Sequence, residues 1–263
     1  MLLRGIRPTA RGATSTDSIC IRIQDTMREK WAVVTGGARN IGQEIGRRLL
    51  EDGFRVIAMD IVRPEDTDLQ ADAMLVDLSD RKAAEAAFAK IAATHPVTAL
   101  VNNVGIVRPA EFDTVKIDDF ETVLNLNTRT ALIAAKALVP GMRALGGGRI
   151  VMNTSRVTLG KEARSLYSAS KGALQSMART WALELARDQI TVNCVAPGPI
   201  ATSVFWQNNP PEADYTRNLI ASVPVQRMGK PEDVANAVSF FCDARSGFVT
   251  GQTLYVCGGV TVG

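Results

Sequence analysis

The sequence predicts an α/β fold: a doubly wound, seven-stranded, mainly parallel sheet with helices on both faces, in one continuous domain. Three observations carry the prediction. From Lys30 onward, short apolar runs alternate with longer amphipathic ones. The short runs are continuously apolar instead of alternating, as strands buried on both faces are. Polar or turn residues stand at the carboxyl ends of these runs, which is where an open parallel sheet gathers its ligands.

Taken in order, "WAVVT" (31–35) reads as the first strand and runs into the Gly-rich turn Gly36-Gly37. "IGQEIGRRLLED" (41–52) follows as a helix with Ile41, Ile45, Leu49 and Leu50 on one face. "FRVIAMD" (54–60) and "AMLVD" (73–77) are strands ending in Asp60 and Asp77. "DRKAAEAAFAKIAATH" (80–95) is a helix whose first Asp can cap it. "TALVNN" (98–103) is the fourth strand and a helix is expected around 118–138. "RIVMNTS" (149–155) is the fifth strand, ending at Ser155, before a helix around 167–187. "ITVNCVA" (190–196) leads into Pro197-Gly198, a helix near 231–243 has Pro231 in its first turn, and "TLYVC" (253–257) closes the sheet.

Composition excludes several classes. The 263 residues are 46% hydrophobic and 22% charged with a net charge of +3, so nothing resembles a basic nucleic-acid surface. No apolar run reaches the roughly 18 residues of a membrane span, and the chain reads as soluble and cytoplasmic. Cys20, Cys194, Cys242 and Cys257 are far apart and form no C-x-x-C pair, so no zinc site or disulfide framework is expected. The one histidine, His95, ends a helix ahead of a proline. With no G-x-S-x-G elbow either, a Ser-His-Asp hydrolase is disfavoured, and no metal is expected. Residues 1–29, with Arg4, Arg7, Arg11 and Arg22 among Ser and Thr, read as an extension outside the fold. The extension is either transit-like or the product of a start assigned ahead of Met27. The domain then spans 30–263.

The turn "VVTGGARNIG" (33–42) lies between a strand and a helix, where backbone N–H groups and a helix N-terminus can hold a pyrophosphate. Asn40 stands where a third glycine is expected, and Asn is among the few residues that enter left-handed backbone. Asp60 is the acid expected to accept from a ribose 2′-OH and to repel a 2′-phosphate, which favours NAD over NADP. Arg39 pulls the other way. In "SLYSASKGAL", Tyr167 and Lys171 are spaced i, i+4 on one helix face. The ammonium is expected to lower the phenol pKa and make Tyr167 an acid/base, with Ser155 holding the substrate oxygen.

These motifs, in this order, resemble the short-chain dehydrogenase/reductase family over residues 30–259, a Rossmann-type fold. Thr35, Gly36 and Gly42 match its TGxxxGxG, with Asn40 the departure and Ile41 inside the same turn. Asp77 and Leu78 fall where the family binds adenine; Asn103, Val104 and Gly105 belong to "NNVG", its NNAG. Asn127 matches the asparagine that holds a proton-relay water, with Asn125 an adjacent rival. Ser155, Tyr167 and Lys171 match the catalytic serine and YxxxK. "NCVAPGPIAT" matches the segment over nicotinamide, bringing Pro197, Gly198, Ile200 and Thr202 to the cofactor. Cys257 stands where the family commonly has Asp. The resemblance implies hydride transfer between a secondary alcohol and a carbonyl, with Tyr167 as acid/base, in a homotetramer built on the helices around 118–138 and 167–187.

Substrate choice falls outside these motifs. The insertion 202–224, with Phe205, Trp206 and Tyr215, reads as a substrate lid or an oligomer contact. Arg156, Lys161 and Arg164 lie between Ser155 and Tyr167, and Arg108 follows "NNVG". At least one of these arginines is expected to meet a substrate anion, on a sugar or hydroxy acid, against the alternative of solvated surface charge. The rival functions are a 3-oxoacyl-thioester reductase using NADPH and a non-catalytic nicotinamide-binding regulator.

Overall fold

The computed structural model describes residues 29–210 and 213–262, so the expected N-terminal extension lies outside the described residues. Seven strands, all parallel, form one sheet: β1 (Lys30–Thr35), β2 (Phe54–Asp60), β3 (Met74–Leu75), β4 (Val97–Asn102), β5 (Gly148–Asn153), β6 (Ile190–Pro197) and β7 (Thr253–Val256). Their spatial order is β3-β2-β1-β4-β5-β6-β7. The chain winds outward in both directions from β1 and β4, and a crevice opens between their carboxyl ends.

Strand side chains alternate between faces, and here both faces are covered. Trp31 and Val33 of β1 enter one core, while Ala32 and Val34 enter the other. The first core is closed by α3 (Arg81–Thr94), through Phe88 and Ile91, by α5 (Thr130–Ala144), through Leu138 and Met142, and by α6 (Ser165–Leu185), through Leu174 and Ala178. The second is closed by α1 (Asn40–Glu51), through Ile45 and Leu49, and by α9 (Pro231–Cys242), through Val234, Val238 and Phe241. Double coverage is why the strands read as unbroken apolar runs. The remaining helices are α2 (Thr67–Gln70), α4 (Asp118–Leu124), α7 (Ser203–Asn208) and α8 (Asp214–Ala221).

Two expectations are corrected. The third strand, expected over 73–77, pairs only at Met74–Leu75, because the Asp77 carboxylate turns the chain by accepting from Ser79 N and Oγ, at 2.9 and 2.7 Å. The helix expected over 118–138 is α4 and α5 joined by a π-helical turn, Asn125–Arg129, and it runs on through Pro140 to Ala144. Asp80 does cap α3, accepting from Lys82 N and Ala83 N. His95 ends that helix as expected; its ring lies edge-on to Trp31, 4.2 Å between centroids.

Candidate active site

The turn after β1 is held open by glycine. Gly36 has φ +63°, and a Cβ on Gly42 would lie 1.8 Å from the Gly36 carbonyl oxygen, so no larger residue fits at Gly42. Asn40 adopts φ +49°, the left-handed conformation expected of it. Thr35, fully buried, accepts from Asn103 N and Val104 N through Oγ1 and pins this turn to the end of β4. A cavity of about 600 Å³ opens there, lined by Gly36, Arg39, Asn40, Ile41, Gly42, Asp60, Asp77, Leu78, Asn103, Val104, Gly105, Arg108, Tyr167, Lys171 and Thr202. Fifteen of the residues singled out from the sequence therefore share one wall. A smaller cavity, about 390 Å³, lies at the opposite strand ends near Lys30, Phe54 and Gly148 and contains none of them.

Asp60 faces the turn: Oδ2 accepts from Ala38 N at 3.1 Å and Oδ1 from Ile61 N at 2.8 Å. Arg39 is exposed at the same rim. Asn103 lines the cavity, and its amide is used inside the protein. Its Nδ2 donates to the Thr35 and Gly36 carbonyls, both at 3.0 Å, and its Oδ1 accepts from Asn153 Nδ2 at 2.7 Å.

Ser155 ends the β5 segment as the cap of a 3-10 turn, 9% exposed, with Val157 N donating to its Oγ at 3.3 Å. Its hydroxyl is near enough to the Tyr167 phenol to favour the phenolate. Lys171 is 3% exposed, donates to the Asn153 carbonyl at 2.7 Å and has its Nζ 5.6 Å from the Tyr167 ring centroid. Burial pushes the Tyr167 phenol up to about 12, opposed by the Ser155 hydroxyl and by the Arg164 cation. Burial pulls the Lys171 ammonium down to about 8. The expected lowering of the Tyr167 phenol is thus corrected: desolvation raises it, and Ser155 and Arg164 only oppose that rise.

Asn127 is 2% exposed in the π turn; Ile106 N donates to its Oδ1 at 2.8 Å, and its Nδ2 donates to Ile106 O and Ser170 Oγ, both at 3.0 Å. It fixes the chain just beyond "NNVG" beneath the cavity. Gly105 packs tightly there: a Cβ would lie 3.1 Å from Asn127 Oδ1 and 3.3 Å from Lys171 Nζ and would press on both. Sequence reasoning missed Asn153 and Ser170. Asn153, a polar residue within the apolar run "RIVMN", was the available signal.

Of the segment expected over nicotinamide, Thr202 lines the cavity, while Pro197, Gly198 and Ile200 are not among its lining residues. Gly198 N donates to Val256 O, and a Cβ on Gly198 would lie 2.7 Å from Cys257 Cα, so this stretch is packed against the end of β7. Ile200 bridges to Gly229 and is 7% exposed. Phe205 and Trp206 pack edge-to-face in α7, centroids 5.1 Å apart, and do not line the cavity. Arg108 lines it but pairs with Asp119 at 3.7 Å. Arg156 and Arg164 lie outside its wall. They crowd Lys161, whose ammonium is lowered by burial and then by Arg164 and Arg156. Among the described residues, no carboxylate pairs with Arg156, Lys161 or Arg164.

The glycine turn, with Asp60 and Asp77 at the rim, fits a dinucleotide: it lines the cavity at the start of α1, whose first N–H groups have no side-chain cap and suit a pyrophosphate. Among the described residues, no three His, Cys, Asp or Glu side chains are placed to hold a metal ion, and no helix is long and apolar enough to cross a membrane.

Comparison with known proteins agrees with this geometry. A family model described as enoyl-(acyl carrier protein) reductase matches residues 36–261. A (2S)-[(R)-hydroxy(phenyl)methyl]succinyl-CoA dehydrogenase subunit of Thauera aromatica is 34% identical, covering 89% of this chain and 97% of that protein. An acetoacetyl-CoA reductase of Acinetobacter sp. is 35% identical, covering 88% and 98%. A solved structure from Beutenbergia cavernae, described as an NAD(P)-dependent gluconate 5-dehydrogenase with NADP at low occupancy, superposes with TM-score 0.81 at 30% identity, covering 90% and 98%. The single doubly wound sheet, the cradle after β1 and these matches across nearly the whole described chain agree: the protein belongs to the short-chain dehydrogenase/reductase family of nicotinamide-dependent oxidoreductases.

Proposed function

We propose that the protein interconverts a secondary alcohol, or a sugar hydroxyl, and the corresponding carbonyl, with NAD as cofactor and an anionic sugar or hydroxy acid as substrate. The observation that carries the reading is the meeting of Ser155, Tyr167 and Lys171 in one buried group beside the glycine cradle. The bound dinucleotide supplies the hydride chemistry. Tyr167 takes or returns the proton at the substrate oxygen, and the Ser155 hydroxyl orients that oxygen. Lys171 supports the cofactor ribose, and Asn127 holds the strand-end chain that forms the cavity floor. Gly36, Arg39, Asn40, Ile41 and Gly42 surround the phosphates, Asp77 and Leu78 the adenine, and Val104, Gly105 and Thr202 the remaining wall.

Asp60 supports NAD, because a carboxylate at the rim repels a 2′-phosphate. The uncompensated cations Arg156, Lys161 and Arg164 support an anion on the substrate, as the gluconate named for the Beutenbergia protein would supply. A second reading, reduction of a 3-oxoacyl thioester with NADPH, is favoured by exposed Arg39 and by the acetoacetyl-CoA reductase relative. A cytoplasmic homotetramer belongs to the same proposal.

The test follows reduced nicotinamide by its near-ultraviolet absorbance, with NAD and NADP, on sugar acids and hydroxy acids paired with uncharged analogues, and on acetoacetyl thioesters in reverse. We expect turnover with NAD on the anionic members, a loss of about a thousandfold in Tyr167→Phe with dinucleotide binding kept, and a gain of about tenfold or more in relative use of NADP in Asp60→Ala. Arg156→Ala should lose efficiency only on anionic substrates. Turnover confined to NADP and thioesters adopts the second reading; dinucleotide binding with no turnover on any of them points to a regulator.

A further inference from the structure

Asn40, where the family has glycine, makes a contact that glycine cannot. Its Oδ1 accepts from Ser203 N at 2.8 Å and from Ser203 Oγ at 2.9 Å, across 163 residues of sequence. Ser203 is the first residue of α7, the helix that carries Phe205 and Trp206. The first N–H groups of a helix have no partner within it and must find one outside. In α7 the Phe205 N–H is taken by the Thr202 hydroxyl at 3.2 Å, whereas the Ser203 N–H is taken by the dinucleotide turn. Thr202 and Asn40 also share the cavity wall.

We propose that Asn40 is a positioning residue that couples dinucleotide binding to the placement of α7, so that occupancy of the glycine cradle fixes the helix carrying Phe205 and Trp206. The inference rests on the reading of the cavity as a dinucleotide site. A ligand shifts a neighbouring element only through a contact that differs between the element's two arrangements. The turn Gly36–Gly42 provides it: phosphates that order its N–H groups also fix the Asn40 backbone, held at φ +49°, and with it the Oδ1 acceptor. Coupling of this kind is reciprocal, so α7 in place strengthens dinucleotide binding by the same factor. Glycine would keep the backbone conformation and lose the acceptor. Asp would keep the acceptor and set a negative charge beside the phosphates.

Hydrogen exchange of the α7 amides in the full chain reads the coupling, with NAD and NADP each used as probe and their binding measured separately by calorimetry. In the wild type, saturating dinucleotide should slow α7 exchange by about fivefold or more, the worth of a net hydrogen bond. Asn40→Gly should bind dinucleotide and show no slowing. Ser203→Pro approaches from the other side and leaves the cradle untouched. Proline suits the first helical position, the preceding Thr202 is already extended (φ −91°, ψ 162°), and both donors to Asn40 are removed. It should also bind dinucleotide without slowing α7. Asn40→Asp should bind more weakly yet regain the slowing at saturation. Slowing that persists in Ser203→Pro, or wild-type binding without slowing, overturns the coupling. A wild type that binds neither dinucleotide removes the reading of the cavity, and the coupling with it.

Discussion

Arg164 shows how one residue outside the cavity wall can set the chemistry within it. It precedes α6, donates Nη1 to the Ala163 carbonyl at 2.8 Å, and stands one helical turn before Tyr167. Burial favours the neutral phenol, while the guanidinium favours the phenolate. In the proposed reaction, oxidation of an alcohol needs Tyr167 deprotonated, so removing the cation should move the acid limb of the pH profile upward. We expect Arg164→Gln to raise the acid limb of kcat/KM for oxidation by about one pH unit, and Arg164→Lys to hold it near wild type. A limb that stays in place in Arg164→Gln would show that Arg164 serves only the fold. Arg164 is recognisable in the sequence as a cation near Tyr167; the upward shift that it opposes is not, because burial decides it.

At the scale of elements, the π turn between α4 and α5 is the decisive local irregularity. Its extra residue per turn places Asn127, and not the adjacent Asn125, where it meets both Ile106 and Ser170. Asn127→Ala leaves the Ile106 N–H without its partner in a part-buried setting, and we expect a loss of about 1 to 3 kcal/mol in urea unfolding, together with a fall in kcat. Unchanged stability with unchanged kcat would remove Asn127 from the site. The hydrophobic pattern across 118–138 made the helix visible, but a five-residue change of winding leaves no periodic trace. Likewise β3 is short because Asp77 captures Ser79, a competition between side chain and backbone that apolar patterning does not record.

For the whole molecule, the outer faces of α5 and α6 bear on assembly. Leu183 is 82% exposed on α6, and Leu132, 43% exposed on α5, lines a shallow groove of about 250 Å³ with Val139 and Trp181. Apolar side chains left in water on two adjacent helices support the proposed oligomer. Sedimentation of Leu183→Glu should give a smaller species than the wild type with dinucleotide binding retained; a monomeric wild type would end the proposal. Chain topology serves the same whole: winding outward from β1 and β4 brings the Gly-rich turn, "NNVG", Tyr167 and Lys171 to one crevice.

The positions of the strands and principal helices, the glycine cradle and the Ser155, Tyr167 and Lys171 group follow from the chain itself. Apolar periodicity, caps and short motifs are written within a few residues of one another and act locally. Tertiary structure decided the rest. Asn103 spends its amide on Thr35, Gly36 and Asn153; Arg108 is paired with Asp119; and Asn40 holds Ser203. A donor or acceptor has several possible partners in a sequence, and only packing brings one of them within reach. Burial in turn sets the charge of Tyr167 and Lys171, and burial is a property of everything folded around them.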